Sequence, residues 1–345
     1  MLILIEPLAA AEHAEAGHPE RPERVDAARA GVDDLRLGSD LHLVTPIPAG
    51  REALVRVHST DHLDHLERAS ATGPGHLDPD TFVTTSSWDA ARLAAGAGLV
   101  AIEAARALDL PAFVAARPPG HHATGERAMG FCLLNNVAVA AADLVATGER
   151  VLIVDWDVHH GNGTQDIFWD DPNVLYVSLH QWPCYPGTGR ADEVGGTNAR
   201  GTTVNIPLPP GSTGATYQRA LEILVSPVVE AFAPTWVLVS AGFDAHRDDP
   251  LASMALSAED FTALAATVAG FAPAPGRVLF FLEGGYSLEA VRRSVTASLS
   301  PLVGAVRTGA RPSAVPVNLN DDVEVIARIQ VARRSALEST PESNS

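Results

Sequence analysis

The chain has 345 residues, 46% of them hydrophobic, and a mean hydropathy of +0.08, which supplies apolar mass for a large core and length for one to three domains. Its 42 acidic and 24 basic residues leave a net charge of −18, which opposes binding to a phosphate backbone, so nucleic acid is excluded as a partner and a cationic substrate is mildly favoured. No run approaches the roughly eighteen apolar residues of a membrane span, and two cysteines, Cys132 and Cys184, are too few for a disulfide framework. These bounds point to a cytoplasmic protein without a membrane partner.

In chain order, Met1–Glu6 lacks the basic flank and the length of a secretory signal and reads as a first strand. Prolines punctuate a loop at Gly17–Pro22, and charged residues open a helix near Arg24. Residues 51–70 have helical periodicity, with His58 and His62 as packing or capping groups, and residues 73–81 read as a loop by composition. An Ala-rich helix over 86–108 leads to a buried strand at 111–116 and then to Arg117-Pro-Pro-Gly-His121-His122, where two prolines and a glycine hold adjacent imidazoles in a rigid turn. Gly130-Phe131-Cys132 opens a helix running to about Ala146. Further strands fall at 151–155, 174–180, 202–207, 236–241 and 277–282, with helices at 215–231, 287–302 and 321–337.

The apolar run Val151–Val154 ends in Asp155-Trp-Asp157-Val-His159-His160-Gly161-Asn162-Gly163-Thr164. A lone Asp or His at a strand end is commonly a helix cap. Burying two carboxylates and two imidazoles together would cost several kcal/mol per group unless a cation compensated, so the cluster reads as a metal site. In an extended chain residues 155, 157 and 159 share one face at ~6.6 Å spacing. Asp244 also follows an apolar run, and Glu283-Gly-Gly-Tyr286 turns sharply after the last strand. Alternating strands and helices without a composition break imply one α/β domain on a mainly parallel sheet, with function at the carboxyl ends of its strands.

The stretch from Asp155 to Thr164 resembles the zinc-site motif of the histone deacetylase family, especially its class II branch and bacterial relatives. The tandem-histidine turn, Gly130-Phe131-Cys132, Pro186-Gly-Thr-Gly189, Asp244 and Tyr286 extend the resemblance over about residues 17–302. It implies the arginase/deacetylase fold; the chain reads as one domain over 1–337, with residues 338–345 polar enough to be a disordered tail. It further implies one Zn²⁺ on Asp157, His159 and Asp244, His122 as general base, His121 as its electrostatic assistant, and Tyr286 as oxyanion donor. Asp155 and Asn162 pair with His121 and His122, and Asp155, Asp157, His159, Ser178 and Leu179 match an inner potassium site. Gly130, Phe131 and Tyr185 match the substrate tunnel, Leu251 its rim, Asp78 (with Asp80 as alternative) an acid that holds substrate backbone, and Arg24 an internal channel.

The implied reaction is hydrolysis of an acetylated or acylated amine, whether a lysine side chain, a polyamine or a small N-acyl metabolite. Two rivals are open. An arginase-like dinuclear site needs Asp-x-His-x-Asp, but its third position here is Gly161. A catalytically silent acyl-lysine-binding protein would keep the pocket without the reaction.

Overall fold

The computed structural model describes residues 1–6, 12–308 and 323–339. Its centre is an eight-stranded sheet built from β1 (Leu2–Ile5), β2 (Leu41–Val44), β5 (Ala112–Val114), β6 (Val151–Asp155), β7 (Val174–Gln181), β8 (Thr203–Leu208), β9 (Trp236–Ala241) and β10 (Val278–Leu282). The remaining two, β3 (Gly75–Asp78) and β4 (Thr81–Val83), form an antiparallel pair outside it. The order across the large sheet is β2-β1-β5-β10-β9-β6-β7-β8, and every pairing in it is parallel.

Both faces of this sheet are covered, which is why its central strands are continuously apolar instead of alternating. In β6, Leu152 and Val154 enter one core while Val151 and Ile153 enter the other. The first core includes Trp156, Phe243, Phe261 and Phe280; the second lies under the helix Ser87–Leu108 and includes Tyr176, Trp236 and Phe281. The α/β architecture expected from the alternation of elements is the one observed.

Several expectations about elements need correction. Residues 73–81 are not a plain loop but contain the β3–β4 pair, whose strands of four and three residues are too short for a periodic signal among Gly and Pro. The 51–70 segment is two helices, Arg51–Leu54 and Thr60–Thr72, the second capped by Ser59, which accepts from His62 N. The helix expected from Gly130 begins at Asn136, because Asn135 caps it and Phe131 before it takes a φ of +67°. The 215–231 helix is widened by a π-type turn over Leu221–Val225. Helix Ala258–Ala269 and edge strand β2 carried no assignment at all. Of the expected tail, Glu338 closes the helix Val323–Glu338, and residues 340–345 lie outside the described residues.

Candidate active site and metal centre

Four chain segments meet at the carboxyl end of the sheet. His121 and His122 follow β5, Asp157 and His159 follow β6, Asp244 follows β9, and Tyr286 follows β10, and these strands are adjacent in the order β5-β10-β9-β6. Strand β6 stops at Asp155, so the extended alternation expected through residue 159 does not hold. A tight turn carries Asp157 and His159 instead: Asp157 N donates to Asp155 Oδ1 at 3.1 Å and His159 N to Asp157 Oδ1 at 2.9 Å.

Asp157, His159 and Asp244 each offer one ligand atom, and these atoms lie within 4.8 Å of one another. His159 Nδ1 is 3.2 Å from both Asp157 Oδ1 and Asp244 Oδ2. The carboxylates are braced by backbone N–H groups, Val158 N on Asp244 Oδ1 at 2.8 Å and Gly284 N on Asp157 Oδ2 at 2.7 Å. Burial opposes charge on His159, yet Asp157 and Asp244 outweigh it and hold the ring well above its ordinary value. Two buried carboxylates that draw a proton onto the imidazole between them create an electrostatic demand for a cation. An O/N/O donor set of this kind fits a catalytic divalent ion such as Zn²⁺ better than a closed structural site.

Beside this cluster the tandem imidazoles are set apart by their partners. His121 Nδ1 donates to Asp155 Oδ2 at 3.0 Å, whereas His122 Nδ1 donates to Asn162 Oδ1 at 2.8 Å and leaves Nε2 with its lone pair. Burial works against charge on both. For His121, Asp157 and Asp155 overcome it and push the ring up to about 10; for His122, the charges of His121 and His159 add to burial and hold the ring well below its ordinary value. The two rings are thus pushed in opposite directions, His121 toward its charged form and His122 toward its neutral one.

Aromatic residues pack beside this cluster. Tyr185, 38% exposed, stands edge-on to His122 at 5.1 Å between ring centroids, and Phe131 stands edge-on to Tyr286 at 5.8 Å. Gly130 permits this closeness, since with φ at +57° a Cβ there would lie 3.0 Å from the Tyr185 ring and closer still to His122. Burial, offset by Arg24 and reinforced by Asp244 and Asp157, holds the Tyr286 phenol well above its ordinary value, so its hydroxyl keeps its proton. Leu251 is 40% exposed. Asp78 and Asp80 sit at the β3–β4 turn, with Asp80 N donating to Asp78 Oδ1 at 3.1 Å, and both act electrostatically on Tyr185.

Arg24 is fully buried beside Tyr286, its guanidinium carbon 5.0 Å from the ring centroid, and it donates to Gly285 O at 2.7 Å, to Glu20 Oε1 at 3.1 Å and to Glu283 O. Glu20 in turn grips Arg117, which precedes the tandem histidines, at 2.9 and 2.6 Å. Asp155 and Ser178 are register partners across β6 and β7, with Leu179 next in β7; Ser178 Oγ bonds His180 Nδ1 at 2.9 Å.

Sequence reasoning passed over Glu283, which accepts from Gly120 N at 2.7 Å, His121 N at 3.2 Å and Ser240 Oγ at 3.0 Å. Its place directly before Gly284-Gly285-Tyr286, at a strand end like Asp155, was the available signal.

Comparison with known proteins agrees with this geometry. The Histone deacetylase domain family matches residues 18–302. An uncharacterised protein of Synechocystis sp. is 43% identical over 83% of this chain and 94% of its own length. The histone deacetylase-like amidohydrolase of Pseudomonas aeruginosa is 41% identical over 79% of this chain and 74% of its own. Among solved structures, the HDA15 HD domain superposes with a TM-score of 0.88 at 34% identity, covering 97% of both chains, which confirms the arginase/deacetylase fold. With a family match over most of its length and a shared fold, the chain belongs to the histone deacetylase family.

Proposed function

We propose that the chain is a zinc-dependent deacylase that hydrolyses N-acetyl or N-acyl amides such as acetyl-lysine. The observation that carries this reading is the convergence of Asp157, His159 and Asp244 beside two adjacent imidazoles, one paired through Nδ1 with the Asp155 carboxylate and the other with the Asn162 amide. When bound, Zn²⁺ at these three residues supplies Lewis acidity to the amide carbonyl and acidifies a water. His122 Nε2 takes the proton of the attacking water and returns it to the leaving amine. His121, held charged by Asp155, favours the negative charge that develops, and the Tyr286 hydroxyl donates a hydrogen bond to the carbonyl oxygen as it becomes an oxyanion. Phe131 and Tyr185 grip the aliphatic chain, Asp78 or Asp80 holds the substrate backbone at the rim, and Arg24 acts through Tyr286 without reaching the substrate. The potassium site at Asp155, Asp157, His159, Ser178 and Leu179, like the cytoplasmic location, rests on the sequence reading; potassium titration of activity tests the former.

The choice of substrate turns on Leu251, which offers no charge to a second ammonium. A charge-assisted contact is worth ~1.5–3 kcal/mol. Acyl-lysine peptides are therefore preferred over acetylspermidine. The test is metal content together with kcat/KM on both substrates, for the wild type and Asp244→Ala. Joint loss of zinc and turnover in the variant supports the reading. Zinc retained in Asp244→Ala overturns the ligand set, a zinc-loaded wild type without turnover on any acyl amine points to the silent binding protein, and preference for acetylspermidine points to the polyamine enzyme.

A further inference from the structure

Asp249 is a buried carboxylate beside the site with no task in the reaction above. It is 7% exposed and gathers three backbone N–H groups from two loops. Its Oδ1 accepts from Leu251 N at 3.0 Å, and its Oδ2 accepts from Tyr286 N at 2.7 Å and from Ser287 N at 3.3 Å. Its own N–H donates to His246 O at 2.9 Å, which ties its loop back to the turn after Asp244. Burial and the charge of Asp244 push the carboxyl up to about 6, against the pull of the three N–H groups. Backbone amides satisfy this anion.

A simple N-terminal cap for the helix Leu288–Thr308 would account for the bond from Ser287. It does not account for the other two, and one of them meets Arg24 across a single peptide group. Arg24 Nε donates to Gly285 O at 2.7 Å, while Asp249 Oδ2 takes the N–H of Tyr286, which belongs to the same Gly285–Tyr286 peptide plane. A guanidinium on the carbonyl end and a carboxylate on the amide end fix the rotation of that plane, and with it the direction in which the Tyr286 side chain leaves the backbone. The other oxygen of the same carboxylate fixes Leu251.

We propose that Asp249 is a positioning residue: with Arg24 it clamps the Gly285–Tyr286 peptide, aims the Tyr286 hydroxyl at the reacting carbonyl, and couples that aim to the rim at Leu251. This rests on the deacylase reading for the role of Tyr286. Replacing one carboxylate oxygen by an amide NH₂ turns an acceptor toward a donor and opens the clamp with little change of volume.

The experiment is a double-mutant cycle on the full zinc-loaded chain with an acetyl-lysine peptide, using Asp249→Asn, Tyr286→Phe and both together. Asp249→Asn is expected to lower kcat about 10–100-fold, the range for outer-shell supports of a site, with KM and zinc content near wild type. In the Tyr286→Phe background it should cost little more, since the group it aims is already gone. Hydrogen exchange supplies a readout independent of turnover: the amides of Leu251 and Tyr286 should exchange faster in Asp249→Asn. Wild-type kcat in Asp249→Asn, or the same fold-loss in both backgrounds, overturns the proposal, because a structural role would not depend on the phenol. If Tyr286→Phe alone keeps full turnover, the oxyanion role fails instead, and unchanged exchange at Tyr286 would then dismiss the clamp separately. Should Asp249→Asn fail to fold, Asp249→Ser, which keeps only one oxygen for the three N–H groups, goes through the same cycle with the same criteria.

Discussion

His121 and His122 are joined by one peptide bond and are pushed in opposite directions: burial opposes charge on both, Asp157 and Asp155 overcome it at His121, the charges of His121 and His159 add to it at His122, and Nδ1 meets a carboxylate at 3.0 Å in the first and a neutral amide at 2.8 Å in the second. In the proposed reaction, residue 162 is one of the groups that bear on the pH range in which His122 serves as base. Asn162→Asp would place a negative charge on His122 and raise its folded-state pKa, an effect of about 1–3 units for a close opposite charge. The base works only when unprotonated, so the acid limb of kcat/KM must move to higher pH by a comparable amount. A pH–rate profile on zinc-replete protein measures this, and an unmoved limb would remove His122 from the role of base. These pairings were expected only through the family resemblance of the motifs that carry the partners. The tautomer and the charge difference were not legible in the sequence, since they depend on burial and on Asp157 and His159 converging from beyond the turn.

At the scale of elements, the helix Ser87–Leu108 was read within one residue because its Ala-rich pattern is long and periodic. Gly96 within it looks like a flaw, for a helix-interior Gly costs about 1 kcal/mol relative to Ala. The fold gives the reason: a Cβ there would collide with Ile47 O and would stand 2.6 Å from Ala49 N, both backbone atoms that cannot swing aside. Overpacking typically costs about 1–3 kcal/mol, which meets or exceeds the propensity gain. Gly96→Ala is accordingly expected to lower stability by up to about 2 kcal/mol in urea unfolding. A clear stabilisation would show that the 45–50 segment yields easily. The β3–β4 pair was missed for the opposite reason. Its residues follow local turn chemistry so closely that pairing between Gly75 and Val83 leaves no pattern in the sequence.

For the whole molecule, the sheet presents two edges that are protected differently. β2 is four residues long and is followed by Pro46 and Pro48, which cannot extend a ladder. β8 is covered by the helix Val323–Glu338, whose Arg333 donates to Thr203 O and, at 2.8 Å, to Gly201 O, while Ile326 and Ile329 enter the core. Arg333→Ala leaves these carbonyls without the guanidinium, a loss of about 1–3 kcal/mol for unsatisfied buried groups, and loosens the cover of the edge. The expected result is a lower Tm with concentration-dependent association in light scattering. An unchanged Tm and a monodisperse sample would show that the two isoleucines hold the helix unaided.

The sequence by itself determined the residue types of the site, their positions after strands, the class of fold and the family, because ligand chemistry and strand periodicity are local and carried by side chains. Which strands lie side by side was decided only in three dimensions: β5, β6, β9 and β10 follow one another in the chain at intervals that do not reveal the order β5-β10-β9-β6. The same holds for the supports of the site. Glu283, Asp249 and Arg24 act on backbone N–H and C=O groups 163, 37 and 261 residues away, respectively. Nearly every residue carries those groups, so the partner leaves no mark on the sequence, and only the folded chain shows which of them a buried charge has found.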